Sequence, residues 1–364
     1  MYYDGSVKGS QIIESDRVFK NAVKDVEIVD WPINWPQIAD AAVPRLTGHE
    51  SAWVASISAG LRQRVYCLQT RRDNDVTGVL PVHLVSGPVF GKFLVSLPYI
   101  NTGGVWAKTH DDALALIGRA CELADELDVK YLELRHETPV EHPRINFTRT
   151  DKVHMRLALP GSSDSLLKSF KSKLRSQVKK SREYDLVVEF GGEELLADYY
   201  SVFAQNMRDL GTPVFSKALF ANILRSFGGR AELCVVRKES QPIAAGTLIH
   251  NHGVSEVPSA SSLREFNRTN ANMLMYWHLM SRAIERGSHT FDFGRSSEGS
   301  GTFKFKAQWG AKPQPANWQY YVRKGSPEEM RPDNEGKQRL VKLWQKLPVW
   351  VTKLVGPEIV RGIP

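Results

Sequence analysis

The stretch AELCVVRKESQPIAAGTLIH, residues 231–250, decides how the chain divides into structural elements. Residues 231–236 and 243–250 are apolar and rich in strand-forming residues, and the polar segment between them is typical of a turn, so together they predict a β-hairpin. Beyond an extended stretch, apolar residues recur with helical spacing over 271–286, and a strand is predicted over 290–295. This region therefore predicts a unit built from a hairpin, a helix and a closing strand.

The first half of the chain repeats this order. Strands are predicted over 65–70 and 76–85, a helix over 111–127 and a closing strand over 131–135. Two hairpins, each followed by a helix and a strand, predict two copies of one α+β unit, each a mixed sheet flanked by helices. Chance similarity of order is the alternative.

The offset between the two copies follows from matching residues in their hairpins. Cys67 and Cys234 are 167 residues apart, and Gly78 and Gly246 are 168 residues apart. The sequence is therefore divided into an N-terminal extension over 1–50, a first domain over 51–160, a second domain over 161–325 and a tail over 326–364.

Composition limits the class of protein. Apolar residues make up 42% and charged residues 24%, as in an ordinary globular protein, and no apolar run is long enough to cross a membrane. The polar N-terminus has no signal-peptide core, which predicts a cytoplasmic protein. The three cysteines form no CxxC pair and the ten histidines form no HExxH motif, so neither a disulfide framework nor a metal site is predicted.

The formal charge of +8 favours an anionic partner, such as a phosphate, nucleic acid or an acidic membrane face. Much of this charge lies in the segment 166–184, which predicts a helix with Asp164 as a plausible cap. One face is apolar, formed by Leu166, Phe170, Leu174 and Val178. The other faces carry Lys168, Lys171, Lys173, Arg175, Lys179, Lys180 and Arg182. They form either a solvated surface or a surface that meets phosphate or RNA.

The tail combines apolar and basic residues, and Pro348 should break any helix within it. Two interpretations are open. The tail packs on the second domain, or it makes peripheral contact with the inner membrane.

The segment FDFGRSSEGSGTFKFKAQWGAKP, residues 291–313, is the most distinctive part of the chain. Its strand ending near Asp292, its Gly-rich loop and the pairs Phe305-Lys306 and Trp309-Gly310 resemble the C-terminal signature of FemAB-like transferases. Further stretches resemble the FemAB-related branch linked to exosortase/PEP-CTERM exopolysaccharide systems. They are LVSLPYINTGG (94–104), YLELR (131–135), NMRDLGTPVF (206–215), EVPSASS (256–262) and NMLMYWHLM (272–280). The resemblance covers roughly residues 50–325.

This resemblance implies two tandem GNAT-like domains and an amide-forming acyl transfer. The activity it implies is that of an N-acyltransferase or aminoacyltransferase. The implied acceptor is a nucleotide- or lipid-linked sugar or peptide, a precursor of peptidoglycan, exopolysaccharide or another envelope polymer. No tightly bound cofactor is implied, and the co-substrate is acyl-coenzyme A or aminoacyl-tRNA. Nucleic acid would be a partner only in the second case. A catalytically silent scaffold in polysaccharide assembly is the rival hypothesis.

Two features bear on the donor. The chain lacks the Q/R-x-x-G-x-G/A pyrophosphate loop of ordinary GNAT enzymes, and it also lacks the long helical hairpin that some Fem enzymes insert in the second domain. The choice between the two donors therefore stays open.

Lys306 and Asp292 are the predicted catalytic residues. Lys306 matches the lysine of the family motif, and we assign it the stabilisation of charge at the acyl carbonyl or donor phosphate. On a predicted strand it shares a face with Lys304, and a cleft lysine should contribute little to packing. Asp292 accepts the proton of the amine or, as the alternative, orients Arg295 in an ion pair.

Other residues are predicted to bind substrate. Arg295 offers a planar fork for phosphate or carboxylate, and Arg208 is a candidate for an anionic acceptor unless it serves only as a charge at a helix end. Asn272 and Tyr276 are four residues apart on one helix face. The full set is Arg295, Lys304, Phe305, Asn206, Arg208, Asn272, Tyr276 and Trp309.

Overall fold

The computed structural model describes residues 26–29, 46–73, 75–88, 90–326 and 335–364, with the side chains of 335–337 excepted. Most of the predicted N-terminal extension therefore lies outside the described residues. Its short segment Val26–Val29 is a strand that pairs with the first hairpin, and no strand is predicted there from sequence.

The described strands form two sheets with the same topology. From edge to edge, the first sheet contains β1 (Val26–Val29), β2 (Arg64–Arg72), β3 (Asp75–Gly87), β4 (Gly91–Val95), β6 (Tyr131–His136), β16 (Asn317–Val322) and β7 (Phe147–Arg149), and β5 (Trp106–Ala107) pairs with β3. The second contains β9 (Leu186–Gly191), β10 (Ala231–Lys238), β11 (Gln241–Asn251), β12 (Val254–Glu256), β14 (Thr290–Ser297), β8 (Lys152–Ala158) and β15 (Lys312–Pro315), and β13 (Ala260–Ser262) pairs with β11.

Each sheet has one parallel pair among its described strands, β4 with β6 and β12 with β14, while the other pairs are antiparallel. The predicted mixed α+β fold with two copies of one unit is confirmed.

The hairpin turns correct the predicted offset between the copies. The turn of the first hairpin lies between Arg72 and Asp75 and that of the second between Lys238 and Gln241, so equivalent positions are 166 residues apart. Both hairpins also carry a bulge at the equivalent place, after Thr70 and after Val236. The two cysteines and the two glycines therefore do not occupy equivalent positions.

The two sheets exchange a strand in each direction. The chain leaves the first sheet after β7 and enters the second as β8, and it leaves the second after β15 and returns to the first as β16. The sequence-based boundary near residue 160 assigns β8 to the first domain, and the boundary near 325 assigns β16 to the second. Each sheet is thus completed by a strand whose neighbours in sequence belong to the other sheet.

The helices are α1 (Ser51–Leu61), α2 (His110–Glu126), α3 (Ser163–Ser169), α4 (Ser172–Ser181), α5 (Leu196–Leu210), α6 (Lys217–Phe227), α7 (Ala271–Glu285), α8 (Gly301–Gln308), α9 (Glu335–Gln345) and α10 (Val349–Val360). Helices α2 and α7 confirm the predicted helix of each copy. Helix α2 starts where Thr109 accepts a hydrogen bond from the Asp112 backbone.

The predicted single basic helix is two helices. Phe170 is extended and ends α3, and Lys171 is extended and begins α4. The predicted cap was also wrong, because the Ser162 hydroxyl, rather than Asp164, accepts the Ser165 N–H. The apolar stripe is confirmed, since all four of its side chains are buried.

The predicted strand around Lys306 is helix α8. The Ser300 hydroxyl accepts the Phe303 N–H at 3.2 Å and starts the helix, which a strand would not need. Lys304 and Lys306 consequently lie about 200° apart around the helix axis rather than on one face. Lys304 is exposed and Lys306 is buried.

A shared core joins the two copies. Helix α1 packs on α6 so closely that a Cβ at Gly60 would lie 2.6 Å from the Leu219 Cα. Trp53 on α1 is fully buried in the same core and lies edge-on to Phe227 at 5.0 Å. This contact brings residues 47–53 against the second sheet, which positions the site described below.

The tail folds as two helices on α5, and Pro348 separates them as predicted. The Arg208 guanidinium donates to the Leu347 carbonyl at 3.1 Å, and Gln345 donates to the Asp209 carbonyl at 3.0 Å. None of the helices in the described residues is both long and apolar enough to span a bilayer.

Candidate active site

A polar site lies where β12 and β14 separate in the second sheet. Glu256 pairs with Asp292 in the parallel register, and the Val257 N–H donates to the Asp292 carbonyl at 3.0 Å. Beyond this point β14 bends at Gly294, whose φ of 73° suits glycine. A Cβ there would lie 3.2 Å from the Asn101 side-chain nitrogen, so the first half of the chain closes the gap.

Asp292 is buried and both of its carboxylate oxygens accept hydrogen bonds. Oδ1 accepts the Gly294 N–H at 2.7 Å and Oδ2 accepts Arg156 Nε at 2.8 Å. Arg156 also forms a two-pronged pair with Glu137. These carboxylates raise the pKa of Arg156 although burial opposes the rise, so Arg156 is a fixed positive charge. Asp292 is therefore engaged as an anion in a structural pair.

Glu256 is held differently from Asp292. Two donors from the first half of the chain contact its carboxylate, Thr47 Oγ1 at 2.6 Å and Trp53 Nε1 at 3.1 Å. Burial raises the pKa of Glu256 to about 7, the neighbouring Asp292 carboxylate adds to the rise, and the two hydrogen bonds oppose it. The residue as a whole is half-buried. Glu256 is thus a carboxyl that can take or give a proton near neutral pH.

A small cavity of about 10 Å³, room for a single water molecule, touches these groups. Its lining includes Asn101 and Thr102 from the first half and His154, Glu256 and Asp292 from the second sheet. His154 is buried, and neither ring nitrogen has a hydrogen-bond partner among the described residues. Burial lowers the pKa of His154, so the ring is neutral and can accept one hydrogen bond and donate another.

Lys306 approaches the same strand from α8. Its Nζ donates to the Gly294 carbonyl at 3.1 Å and to the Arg295 carbonyl at 2.9 Å. Burial lowers the pKa of Lys306 to about 8, the Arg295 charge adds to this effect, and Asp292 opposes it. An ammonium group has three donors, so one N–H remains after these two bonds. Lys306 therefore also fixes the bend of β14, contrary to the expectation that it contributes little to packing.

Arg295 does not pair with Asp292, which corrects one of the two predicted roles. Its guanidinium lies over the Trp318 ring at 4.1 Å, while Asp292 binds Arg156. Between Asp292 and Arg295 the register of β14 against β8 shifts, so that three residues of β14 span two of β8.

A separate groove of about 270 Å³ lies at the start of α7. The predicted residues Asn272 and Phe305 line it, and so do the side-chain amides of Gln177, Asn267 and Gln308. The first N–H groups of a helix are suited to bind phosphate. Phe305 borders this groove while the adjacent Lys306 contacts β14, so α8 lies between the groove and the polar site.

The other predicted residues are distributed as follows. Tyr276 and Trp309 are buried in the aromatic packing of the second core, with ring centroids 6.4 Å apart. Asn206 donates to Ser261 at 3.1 Å. Arg208 binds Asp209 and the tail, and Lys304 is exposed on α8. The site thus gathers Lys306 and Asp292, has Arg295 next to it, and leaves these five residues outside.

Sequence reasoning missed Glu256, Arg156 and His154. Glu256 stands in the EVPSASS stretch that carried the family resemblance, and His154 and Arg156 alternate in VHMRLA, so both signals were present. Neither pattern showed that the two segments meet. In the described part of the chain, no cluster of three His, Cys, Asp or Glu side chains could hold a metal ion.

The family model of the acetyltransferase (GNAT) domain matches residues 168–307. A comparison with curated proteins finds no match.

Several solved structures share the fold. FemX is 16% identical with a TM-score of 0.56, covering 81% of this chain and 94% of that one. The lysylphosphatidylglycerol synthetase L-PGS from Bacillus licheniformis is 11% identical with a TM-score of 0.50, covering 81% and 89%. A conserved protein from Bacteroides thetaiotaomicron is 10% identical with a TM-score of 0.53, covering 74% and 89%. The chain therefore has a tandem GNAT-like fold whose second half contains a GNAT acetyltransferase domain, which supports an acyltransferase activity.

Proposed function

We propose that this protein transfers an acyl group to an amine of a cell-envelope precursor, with Glu256 as the general base. The observation that carries this proposal is Glu256 itself. It is a carboxyl whose pKa of about 7 lies close to working pH, and it lines a cavity at the strand separation of a GNAT-type sheet.

The chemistry requires a proton acceptor and a stabilised oxyanion. The amine nitrogen attacks the acyl carbon, the new C–N bond forms, and the bond from that carbon to the donor sulfur or oxygen breaks. Glu256 takes the amine proton and returns it to the departing thiolate or alkoxide. The remaining N–H of Lys306 stabilises the carbonyl oxygen as it becomes negative. Asp292 and Arg156 keep β14 and its bend in place.

We favour acyl-coenzyme A as the donor. A GNAT fold normally uses this co-substrate, and Gln177, Asn267, Asn272 and Gln308 line the groove at the start of α7 and carry side-chain amides, which are hydrogen-bond donors suited to a pyrophosphate. Gln177 of the basic helix α4 borders the groove, and Lys173 and Lys180 lie within one turn of it on the same face. Aminoacyl-tRNA also carries phosphates and is the second arm of the test.

An envelope acceptor is supported by similarity of fold to FemX and to a lysylphosphatidylglycerol synthetase, together with the FemAB-like motif around Lys306. The nucleotide- or lipid-linked precursors of peptidoglycan and exopolysaccharide are the acceptor class to screen. The sequence resembles the exosortase-linked branch, and membership of that branch would favour the exopolysaccharide precursors among these acceptors.

The deciding experiment pairs a panel of acyl-coenzyme A species and aminoacyl-tRNAs with amine-bearing envelope precursors and follows amide formation by mass spectrometry. Transfer by the wild type that falls about a hundredfold or more in Glu256→Gln supports the proposal. Equal rates in the variant would remove Glu256 from the mechanism. Absence of transfer and of donor binding, with retained binding to polysaccharide enzymes, would favour the scaffold hypothesis.

We also propose that the tail contacts an anionic membrane surface where such precursors are found. Four large apolar side chains remain exposed on its two helices, Leu340, Leu343, Trp350 and Leu354, each at least 62% exposed. Basic residues Arg339, Lys342, Lys346 and Lys353 lie among them. Apolar area and positive charge add in binding to acidic lipid.

Sedimentation with vesicles tests this contact. Wild-type protein should sediment with vesicles that contain about 30% phosphatidylglycerol and not with purely zwitterionic ones. The double variant Trp350→Ser/Leu354→Ser should lose binding to these vesicles. The control variant Val187→Ser should keep it, because Val187 is an exposed apolar residue outside the tail. Equal sedimentation of all three proteins would contradict the proposal.

A further inference from the structure

We propose that a cavity around Arg295 binds the anionic group, carboxylate or phosphate, of the acceptor. The cavity has a volume of about 140 Å³ and lies beside the polar site, between the first half of the chain and the last residues of α10. Its lining includes Tyr99, Asn101, Arg135, Phe215 and Arg295. The identification of this anion as part of the acceptor rests on the proposed function. The binding of an anion in this cavity is independent of that function.

The charges around this cavity do not balance. Arg135 is paired, because its Nε donates to Glu133 at 2.7 Å and Nη1 donates to the Ile100 carbonyl. No carboxylate of the described residues forms an ion pair with Arg295, and its Nη1 is buried without a hydrogen-bond partner. Arg149, the other nearby cation, is paired with Asp151. Among the charged side chains of the described residues around this cavity, Arg295 is thus the one without an ion pair, and buried charges are normally paired.

Packing fixes the orientation of Arg295. The guanidinium of Arg135 lies 4.2 Å from the Trp318 ring and that of Arg295 lies 4.1 Å from it. The indole N–H of Trp318 donates to the Asn101 carbonyl at 3.2 Å, which anchors the ring. A stacked guanidinium keeps its edge free for a planar or tetrahedral oxyanion. The unpartnered Nη1 is thus held in place before any ligand arrives.

The cavity wall contains a strained residue. Tyr99 has a φ of 78°, a left-handed conformation that is unfavourable for a bulky side chain. Its ring is held edge-on by Phe215 at 4.9 Å and by Phe220 at 6.3 Å. Strain of this kind is maintained by surrounding contacts and is concentrated at binding sites.

Asn101 connects the cavity to the polar site, because it lines both. Arg295 is also three residues beyond Asp292 on β14. An acceptor held by its anionic group at Arg295 would therefore place a nearby amine toward Glu256. The geometry selects amines that carry a carboxylate or phosphate over neutral amines.

Thermal unfolding measures anion binding without any need for turnover. The wild-type melting temperature should rise by at least about 2 °C with inorganic phosphate or acetate, relative to sodium chloride at equal ionic strength. The rise should vanish in Arg295→Gln and persist in Arg225→Gln, which removes an exposed arginine paired with Glu193. The anion that gives the larger rise distinguishes a phosphate-bearing from a carboxylate-bearing acceptor.

The variant without added anion separates binding from packing. Removing an uncompensated buried charge should leave the melting temperature of Arg295→Gln unchanged or higher, whereas a purely structural arginine would lower it in every buffer. Arg295→Met, which retains the apolar contact with Trp318, provides a second variant if the glutamine form does not fold. No anion-specific rise in the wild type, or the same rise in the Arg295 variants, would overturn the proposal.

Kinetics then connect the cavity to the acceptor. With an active donor and acceptor pair, Arg295→Gln should raise KM for the anionic acceptor about thirtyfold or more and leave KM for its neutral amide analogue unchanged. An equal change in KM for the anionic acceptor and for its neutral analogue would mean that the anion site binds a ligand other than the acceptor. Failure to find any transfer would count against the proposed function and leave the melting result to decide the anion site.

Discussion

The two copies separate their parallel strands in the same place, but they fill the gap differently. In the first sheet, strands β4 and β6 separate after Val95 and Glu133. The Ser96 hydroxyl accepts a hydrogen bond from the Arg135 backbone N–H at 3.0 Å across this gap. Arg135 then pairs with Glu133. In the second sheet, Glu256 at this position remains partly accessible beside a cavity.

This difference shows how a duplicated fold can divide its tasks. At its strand separation the first copy pairs its polar groups with one another, through Ser96, Glu133 and Arg135. The second leaves a titrating carboxyl, an unpartnered histidine and an unpaired arginine around one strand end. The family match lies within the second half, 168–307. Topology alone therefore does not locate the site, and the polar groups at the strand separation do.

The largest expected effect compares the buried acids of the two copies. Glu133→Gln leaves Arg135 without a carboxylate and should cost about 3–5 kcal/mol of unfolding free energy. Asp292→Asn should cost less, because Arg156 keeps Glu137. At saturating acceptor, turnover per folded molecule should fall only in Asp292→Asn. Denaturant unfolding measures the stability of each variant, and reaction rates per folded molecule measure its turnover. Reduced turnover in Glu133→Gln would contradict the division of tasks between the two copies.

Lys306→Met should lower turnover by about a hundredfold through loss of the charge at the oxyanion. It should also destabilise the protein by about 1–3 kcal/mol, because two carbonyls lose their donor. Lys304→Met is the matched control, two residues away and exposed, and should change neither quantity. Similar rates for the two variants would remove Lys306 from the chemistry.

The pH profile of kcat/KM should be bell-shaped. Glu256 must lose its proton to act as a base, so the rate should rise with pH through about 7. Lys306 must keep its proton to stabilise the oxyanion, so the rate should fall through about 8. We use kcat/KM because this ratio reports the free enzyme, to which these two pKa values belong. A flat profile between pH 6 and 9 would contradict both assignments.

The smallest expected effect tests the contact between the copies at Glu256. Thr47→Val removes a hydrogen bond that favours the carboxylate, so the pKa of Glu256 should rise further and the acid limb should move up by about one pH unit. The control variant Thr77→Val, on β3 of the first sheet, should leave the acid limb of the pH profile unchanged. An acid limb that shifts downward, or equally in both variants, would show that Thr47 does not act on Glu256.

Much of the fold could be predicted from local pattern. Alternating and helical spacing identified both hairpins, α2, α7 and the closing strands, because burial of one face leaves a periodic trace in the sequence. The same reasoning failed at α8, where Phe-Lys-Phe-Lys alternates like a strand. There the Ser300 cap and the contact of Lys306 with β14 decided the outcome.

The candidate site was only partly predictable. The motif around Lys306 and Asp292 could be found because both residues stand in one short segment. The partners of Asp292 could not, since Arg156 lies 136 residues away on the exchanged strand β8.

The sequence by itself determined the α+β class, the duplication and the position of the FemAB-like motif, because these depend on order and periodicity along the chain. Tertiary structure alone decided which charges are paired and which carboxyl titrates near neutral pH. Thr47 and Trp53 lie more than 200 residues from Glu256 and meet it only because α1 packs on α6. The pKa of a carboxyl depends on its burial and its neighbours in space, and the sequence does not record either.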